Sequence, residues 1–246
     1  MLARMALLTA HPARVAPRAC RVSCHVAPRP TLRPFPRARG VRTAASASGA
    51  SESRATTRLF APTERATERI ARLLAADARA GDVICLHGDV GMGKSVFSRA
   101  YVRAVARDPD LEVPSPTYLL QQVYDTHDPS FGPPVHHFDL YRLAGPSEMS
   151  KLGLDDSFAN AASLLEWAER LGDLAPEERL DVFVRAGDDD AAFTTVRADA
   201  DEDEDEVEDE DDDVDPAFLD LRGRLVRLVP RGETWRERID ALAESL

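Results

Sequence analysis

Lysine is nearly missing from this chain: Lys94 and Lys151 are the two that occur, against twenty-nine arginines. Arginine is a planar fork and lysine a compact point charge on a flexible stem. A retained lysine therefore marks a place where a point charge is wanted. Cysteine is also scarce. Cys20, Cys24 and Cys85 do not make a disulfide framework, and Cys85, inside an apolar run, is expected to be a small buried residue. No apolar stretch approaches the roughly 20 residues of a transmembrane helix, so no membrane association is expected. Acids are missing up to Glu52, and bases are missing from residues 199–215. The net charge of −12 over 246 residues hides this asymmetry. Residues 1–50 carry +9, residues 199–215 carry −14, and the remainder carries −7.

These absences divide the chain. An Arg-rich, Ser-containing, acid-free leader over residues 1–50 has the composition of an organelle transit peptide. Met5-Ala6-Leu7-Leu8 is too short for a secretory core. No regular amphipathic helix is visible among the leader's prolines, which favours the chloroplast over the mitochondrion. The other reading of the leader is a basic tail that binds nucleic acid. Residues 55–246 are expected to form one domain. A disordered acidic insertion over 188–215 interrupts it, because a run of like charges repels itself and has nothing to bury. It occupies the place of a hairpin connection, where added length is tolerated. It reads either as a solubilising insert or as a dock for a basic partner.

One of the two lysines lies in Gly88-Asp89-Val90-Gly91-Met92-Gly93-Lys94-Ser95. This fits G-x-x-x-x-G-K-[ST], a loop whose backbone N–H groups cradle nucleotide phosphates. Lys94 is placed to reach the β- and γ-phosphates, and the Ser95 hydroxyl to ligand Mg²⁺. The apolar run Val83–His87 before the loop predicts a strand. The pattern from Val96 to Ala106 predicts a helix whose N-terminus favours the anion.

Further along, Val113-Pro114-Ser115-Pro116-Thr117 cannot be helical, and Tyr118 to Tyr124 predicts a strand after it. Thr117 is a candidate switch residue for the γ-phosphate or the Mg²⁺ shell; a plain proline turn is the alternative. Val135–Asp139 and Ser163–Trp167 predict strands, each carrying a carboxylate at or near its end, Asp139 and Glu166. Acids at strand ends beside a phosphate loop bind Mg²⁺ or orient water. His136 and His137 are adjacent in a strand, so they face opposite sides and are expected to be structural. Helices are expected over Thr63–Arg79, Pro146–Leu152 and from Thr234 onward, with strands at Leu180–Arg185 and Arg224–Val229. In the last helix Trp235, Ile239, Leu242 and Leu246 share one stripe.

Taken together, Leu86-His-Gly-Asp-Val-Gly-Met-Gly-Lys-Ser95, Ser115-Pro-Thr-Tyr118, His137-Phe-Asp-Leu-Tyr-Arg-Leu143, Leu152-Gly-Leu154 and Leu165-Glu-Trp167 resemble the TsaE family, small ATPases of tRNA threonylcarbamoyladenosine synthesis. The resemblance implies an α/β fold, a single P-loop NTPase-like domain with a mixed sheet flanked by helices. It implies ATP and Mg²⁺, weak hydrolysis by the isolated protein, and assembly with TsaD-like and TsaB-like proteins. Those partners modify the adenosine beside the tRNA anticodon, so contact with tRNA is indirect, and ATP hydrolysis resets the transferase between turnovers. Residue by residue, it implies that Lys94 and Ser95 bind phosphate and Mg²⁺, with Gly88 to Val96 forming the cradle. Thr117 is then the switch, Asp139 the carboxylate needed for hydrolysis, Glu166 the second Mg²⁺ ligand and Trp167 its functional neighbour. Arg142 matches the motif without a decided role. The chain departs from the family at Ser95, where many members have Thr, at Val96, where Thr is common, and at Ala168, where Pro often stands.

A GTPase is excluded, because an N-K-x-D motif needs a lysine and Lys151 follows Ser150. The remaining rivals are a small-molecule P-loop kinase and a nucleotide-dependent scaffold that does not turn over.

Overall fold

The computed structural model describes residues 56–125, 132–143, 146–198 and 222–246. The transit-peptide expectation and the acidic run 199–215 lie outside the described residues.

The chain opens with β1 (Thr57–Ala61) and α1 (Glu64–Ala75). Thr63 caps α1: its Oγ1 accepts from the Ala66 N–H at 3.2 Å, satisfying one free donor of the first turn. Next come β2 (Val83–His87), the glycine loop and α2 (Lys94–Ala106). β3 (Gln121–Tyr124), β4 (Val135–Asp139), the short α3 (Pro146–Met149) and α4 (Leu154–Asn160), and β5 (Ala162–Glu166) follow. A 3₁₀ stretch over Ala168–Leu174, broken at Gly172, leads to β6 (Arg179–Ala186), β7 (Thr194–Thr195), β8 (Arg224–Arg231) and α5 (Glu233–Ser245).

The described strands form one mixed sheet in the order β3-β4-β5-β2-β6-β8-β1-β7. The β4-β5-β2-β6 block is parallel, while β3, and β8 with β1, add antiparallel pairs. The fold is therefore the mixed α/β sheet expected. On one face Ile84, Leu86, Val182, Val226 and Leu228 pack against Ile70, Phe97, Tyr101 and Ile239 from α1, α2 and α5. On the other, Val83, Cys85, Phe138 and Leu165 meet Leu140, Met149, Leu154 and Leu171. That second cluster draws nothing from β6, β8 or β1. Cys85 is buried as expected, and burial pushes its thiol up to about 12.

Several boundaries differ from those expected. The strand expected from Tyr118 starts at Gln121, because Pro116–Leu120 forms a turn: the Leu120 N–H donates to the Pro116 carbonyl at 2.6 Å and Leu120 takes φ +65°. Helix α1 stops at Ala75 rather than Arg79, and α3 at Met149 rather than Leu152. Residues 188–198 of the expected insertion include β7, parallel to β1, and Val196 is buried in the core.

Candidate functional site

The site lies at the carboxyl ends of β2, β4 and β5. Gly88, Gly91 and Gly93 take φ of +146°, +78° and +96°, conformations that side chains resist. A Cβ at Gly88 would also collide with the Val184 carbonyl oxygen. The loop is pinned from behind, where the Ala186 N–H donates to Met92 Sδ at 3.2 Å. Asp89 and Val90 are exposed at its tip, and Val96 is half-buried in the first turn of α2.

Lys94 is 5% exposed. Its Nζ donates to the carbonyls of Gly88 and Asp89 at 2.7 Å each and sits 4.1 Å from the centre of the Trp167 ring. Burial lowers its pKa, and the nearby carboxylates Glu166, Glu169, Asp139 and Asp89 work against that shift. Trp167 reaches this place because it turns left-handed at the end of β5, with φ +59°. Tyr141 packs on its ring at 4.9 Å between centres.

Glu166 is the hub of the polar contacts beside Ser95. Its Oε2 accepts from Ser95 Oγ at 3.1 Å. Its Oε1 accepts from Ser98 Oγ at 3.0 Å and faces His137 Nε2 at 3.0 Å. His137 is buried, and its Nδ1 has no hydrogen-bond partner among the described residues. A proton there would be stranded, so the Nε2–H tautomer follows and Nε2 donates to Glu166. Burial pushes the Glu166 carboxyl up, but the donors His137, Ser98 and Ser95 prevail and hold it below the usual range. Oε1 is thus anchored in the protein, while Oε2 is presented to Ser95 and the loop.

Asp139 is paired with Glu166 in the β4–β5 register. Its Oδ1 accepts from the Tyr141 N–H at 2.9 Å and its Oδ2 from Thr117 Oγ1 at 2.6 Å. Ser115 Oγ lies 2.8 Å from Thr117 Oγ1. Since Thr117 gives its one proton to Asp139, Ser115 must donate to Thr117. A relay of Ser115, Thr117 and Asp139 therefore joins the proline segment to the strand end.

The structure brings Lys94, Ser95, Thr117, Asp139, Glu166 and Trp167 into one constellation. It does not bring Arg142 there: that guanidinium stacks 4.1 Å from the centre of the exposed Tyr118 ring. His136 turns away to Ser157 Oγ at 2.8 Å, as strand alternation requires. Sequence reasoning missed Ser98 and the role of His137. The signal for Ser98 is its spacing of four from Lys94, which puts both on one helix face.

The donor set suits a hard cation. Magnesium takes oxygen ligands, keeps several waters, and is held by one or two protein groups plus phosphate oxygens. Ser95 Oγ and Glu166 Oε2 supply two adjacent oxygens of that kind. Among the described residues no cluster of three or more His, Cys, Asp or Glu forms an all-protein metal cage.

A strand, a glycine loop and a helix, with acids on two neighbouring strand ends, define a protein of P-loop NTPase-like fold, suited to binding a nucleotide. YdiB of Bacillus subtilis shares that fold with a TM-score of 0.53 at 21% identity, over 77% of this chain and 95% of that one. The family model for threonylcarbamoyl adenosine biosynthesis protein TsaE matches residues 61–193, just over half of the chain. The tRNA threonylcarbamoyladenosine biosynthesis protein TsaE of Bacillus subtilis is 38% identical over 130 residues, covering 52% of this chain and 77% of that protein. Its namesake in Rickettsia bellii is 34% identical over 127 residues, 52% of this chain and 85% of that protein. The chain belongs to the TsaE family, and its place is in tRNA threonylcarbamoyladenosine biosynthesis.

Proposed function

We propose that the protein is an ATPase with weak intrinsic turnover, stimulated by partners, that supports threonylcarbamoyl transfer to the adenosine beside the tRNA anticodon. The observation that carries this reading is the pair of strand-end carboxylates in different settings beside one phosphate loop: Glu166 directed at Ser95, and Asp139 linked to Thr117. Lys94 would exchange its two loop carbonyls for phosphate oxygens. Ser95 and Glu166 would hold Mg²⁺, which supplies charge neutralisation of the phosphates. Asp139 would accept a hydrogen bond from the attacking water and fix its direction, the main task in phosphoryl transfer. Thr117 ties this event to the Ser115–Tyr118 segment, so the nucleotide state is read on the surface beside it. TsaD-like and TsaB-like proteins are the partners proposed to read it, with tRNA contacted through them. The leader is proposed to carry the protein into the chloroplast.

The test is ATP hydrolysis by the protein alone and with the organellar TsaD-like and TsaB-like proteins plus tRNA. Stimulation in the full mixture, lost in Lys94→Ala together with nucleotide binding, is the expected result. Brisk turnover without partners, or binding with no stimulated turnover, overturns the reading.

A further inference from the structure

Among the described residues, the second face of β6, β8 and β1 has no helix-borne core against it, and it carries Arg58, Arg185 and Arg227, all exposed. Arg58 and Arg227 are direct cross-strand partners in the antiparallel β1–β8 pair. Phe183 stands opposite Arg227 on the other side. The Arg227 guanidinium lies 4.5 Å from the Phe183 ring centre, and that ring also stacks with His87 at 4.5 Å and 15°. The three arginines border a cavity of about 550 Å³ beside the phosphate loop. Like charges directly opposite one another on paired strands are destabilising. Nearby arginines show the ordinary remedy: Arg179 and Arg231 both pair with Asp181, at 3.0 and 3.1 Å. Asp89 and Asp190 also line the cavity, yet no ion pair joins either to the three arginines. The face is built as though an anion comes from elsewhere.

We propose that this arginine face is the docking surface for the chain's own acidic segment 199–215. Charge is the first argument: fourteen acids and no base stand in that segment. Attachment is the second. The described chain leaves at Ala198, three residues beyond β7, whose neighbour β1 bears Arg58. It returns at Arg222, two residues before β8, which bears Arg227. The 23 residues between, at up to about 3.3 Å each, reach every point of the face. Tethering at both ends makes the encounter intramolecular, with an effective concentration on the order of millimolar. Individually weak surface ion pairs then suffice together. Phe183 and His87 hold the Arg227 guanidinium in place, so little freedom is lost when an acid meets it.

Two measurements on the full chain test this. In the first, the acids of 199–215 are replaced by Asn and Gln, and a fluorescent peptide of sequence 199–215 is titrated by anisotropy. The peptide is expected to bind, more weakly as salt rises. Replacing Arg58, Arg185 and Arg227 together by Thr is expected to weaken it about tenfold. Absence of binding overturns the proposal. So does equal binding by the triple variant, which would put the segment on the basic leader instead.

The second measurement needs no arginine variant. A spin label is placed at Val207→Cys in a chain carrying Cys20→Ser and Cys24→Ser. Amide signals of Arg58, Phe183 and Arg227 should broaden, while those of Val123 at the far edge of the sheet should not. A uniform effect overturns the proposal. Broadening that vanishes on dilution with unlabelled chain also overturns it, since it marks a contact between copies.

Discussion

In the β3–β4–β5–β2 half of the sheet both faces are covered, and the charged groups are met from several sides. Glu166 has three donors, Asp139 has two, and the Lys94 ammonium has two carbonyls and an aromatic face. In the β6–β8–β1 half one face is covered, and the other holds three arginines with no acid paired to them among the described residues. The difference follows from burial. An unpaired charge that is taken out of water is expensive, whereas an exposed one stays hydrated. Each substitution in the first half should therefore cost more than a like substitution in the second. Where a charge in the open half is held by several partners, it should behave like one in the closed half.

The largest effect is expected at Asp139. Asp139→Asn keeps an oxygen to accept from Thr117 but removes the charge proposed to orient water. Hydrolysis should fall about a hundredfold or more, with nucleotide binding near wild type by calorimetry. Loss of binding in parallel with turnover would assign Asp139 to the phosphate cradle instead.

Asp181 tests the rule from within the open half, because it is 4% exposed and held by two arginines and by His87. Burial pushes its carboxyl up, but hydrogen bonds from His87, Arg179 and Arg231 outweigh that and bring it down to about 2 from 3.8. A depressed carboxyl contributes stability that is complete above its unfolded value, and it is lost as pH falls through the folded value. Asp181 should therefore contribute about 2 kcal/mol at neutral pH, and that contribution should fade between about pH 4 and pH 2. Asp181→Asn is expected to destabilise by about that amount at pH 7 in urea unfolding, and by much less near pH 2. An equal loss at both pH values would mean that packing, not charge, is what Asp181 supplies.

What the sequence disclosed divides along the same line. Lys94, Ser95, Thr117, Asp139 and Glu166 were legible because each sits in a local pattern: a spaced glycine loop, a proline-held hydroxyl, an acid at a strand end. Their support was not legible, because it comes from far along the chain. Ser98 and Glu166 are 68 residues apart, and His137 and Glu166 are 29 apart. Trp167 showed as a large apolar residue next to an acid, but its left-handed turn onto Lys94 depends on where β5 ends. β1 was missed because five residues with an arginine among them make a weak strand signal, and pairing with β8 decides the matter. α4 was missed because Asp155 and Asp156 obscure a seven-residue helix.

Ser98→Ala probes that distant support. Ser98 Oγ has one proton and two acceptors, the Lys94 carbonyl at 3.1 Å and Glu166 Oε1 at 3.0 Å. His137 remains on the same carboxylate oxygen when Ser98 is truncated. The loss should be about 1 kcal/mol in urea unfolding, smaller than for removal of a sole partner. A loss of several kcal/mol would show that Ser98, not His137, anchors Glu166.

The smallest effect is expected at Arg58, where the difference between two backgrounds carries the information. A substitution at an exposed strand position usually changes stability by no more than about 0.5 kcal/mol. Arg58→Thr also exchanges a long side chain for a β-branched one that suits a strand, so a single measurement mixes charge with propensity. Made in the native chain and again in the chain with residues 199–215 neutralised, the propensity gain is common to both and cancels. What remains is the charge that Arg58 meets. With the acids present, the charge part of the change should destabilise by a few tenths of a kcal/mol. With them gone, it should stabilise by a similar amount, because the repulsion from Arg227 across the strand pair is relieved. An equal change in both chains would mean that the open face meets water alone, and that its arginines stay unpaired because hydration is sufficient for them.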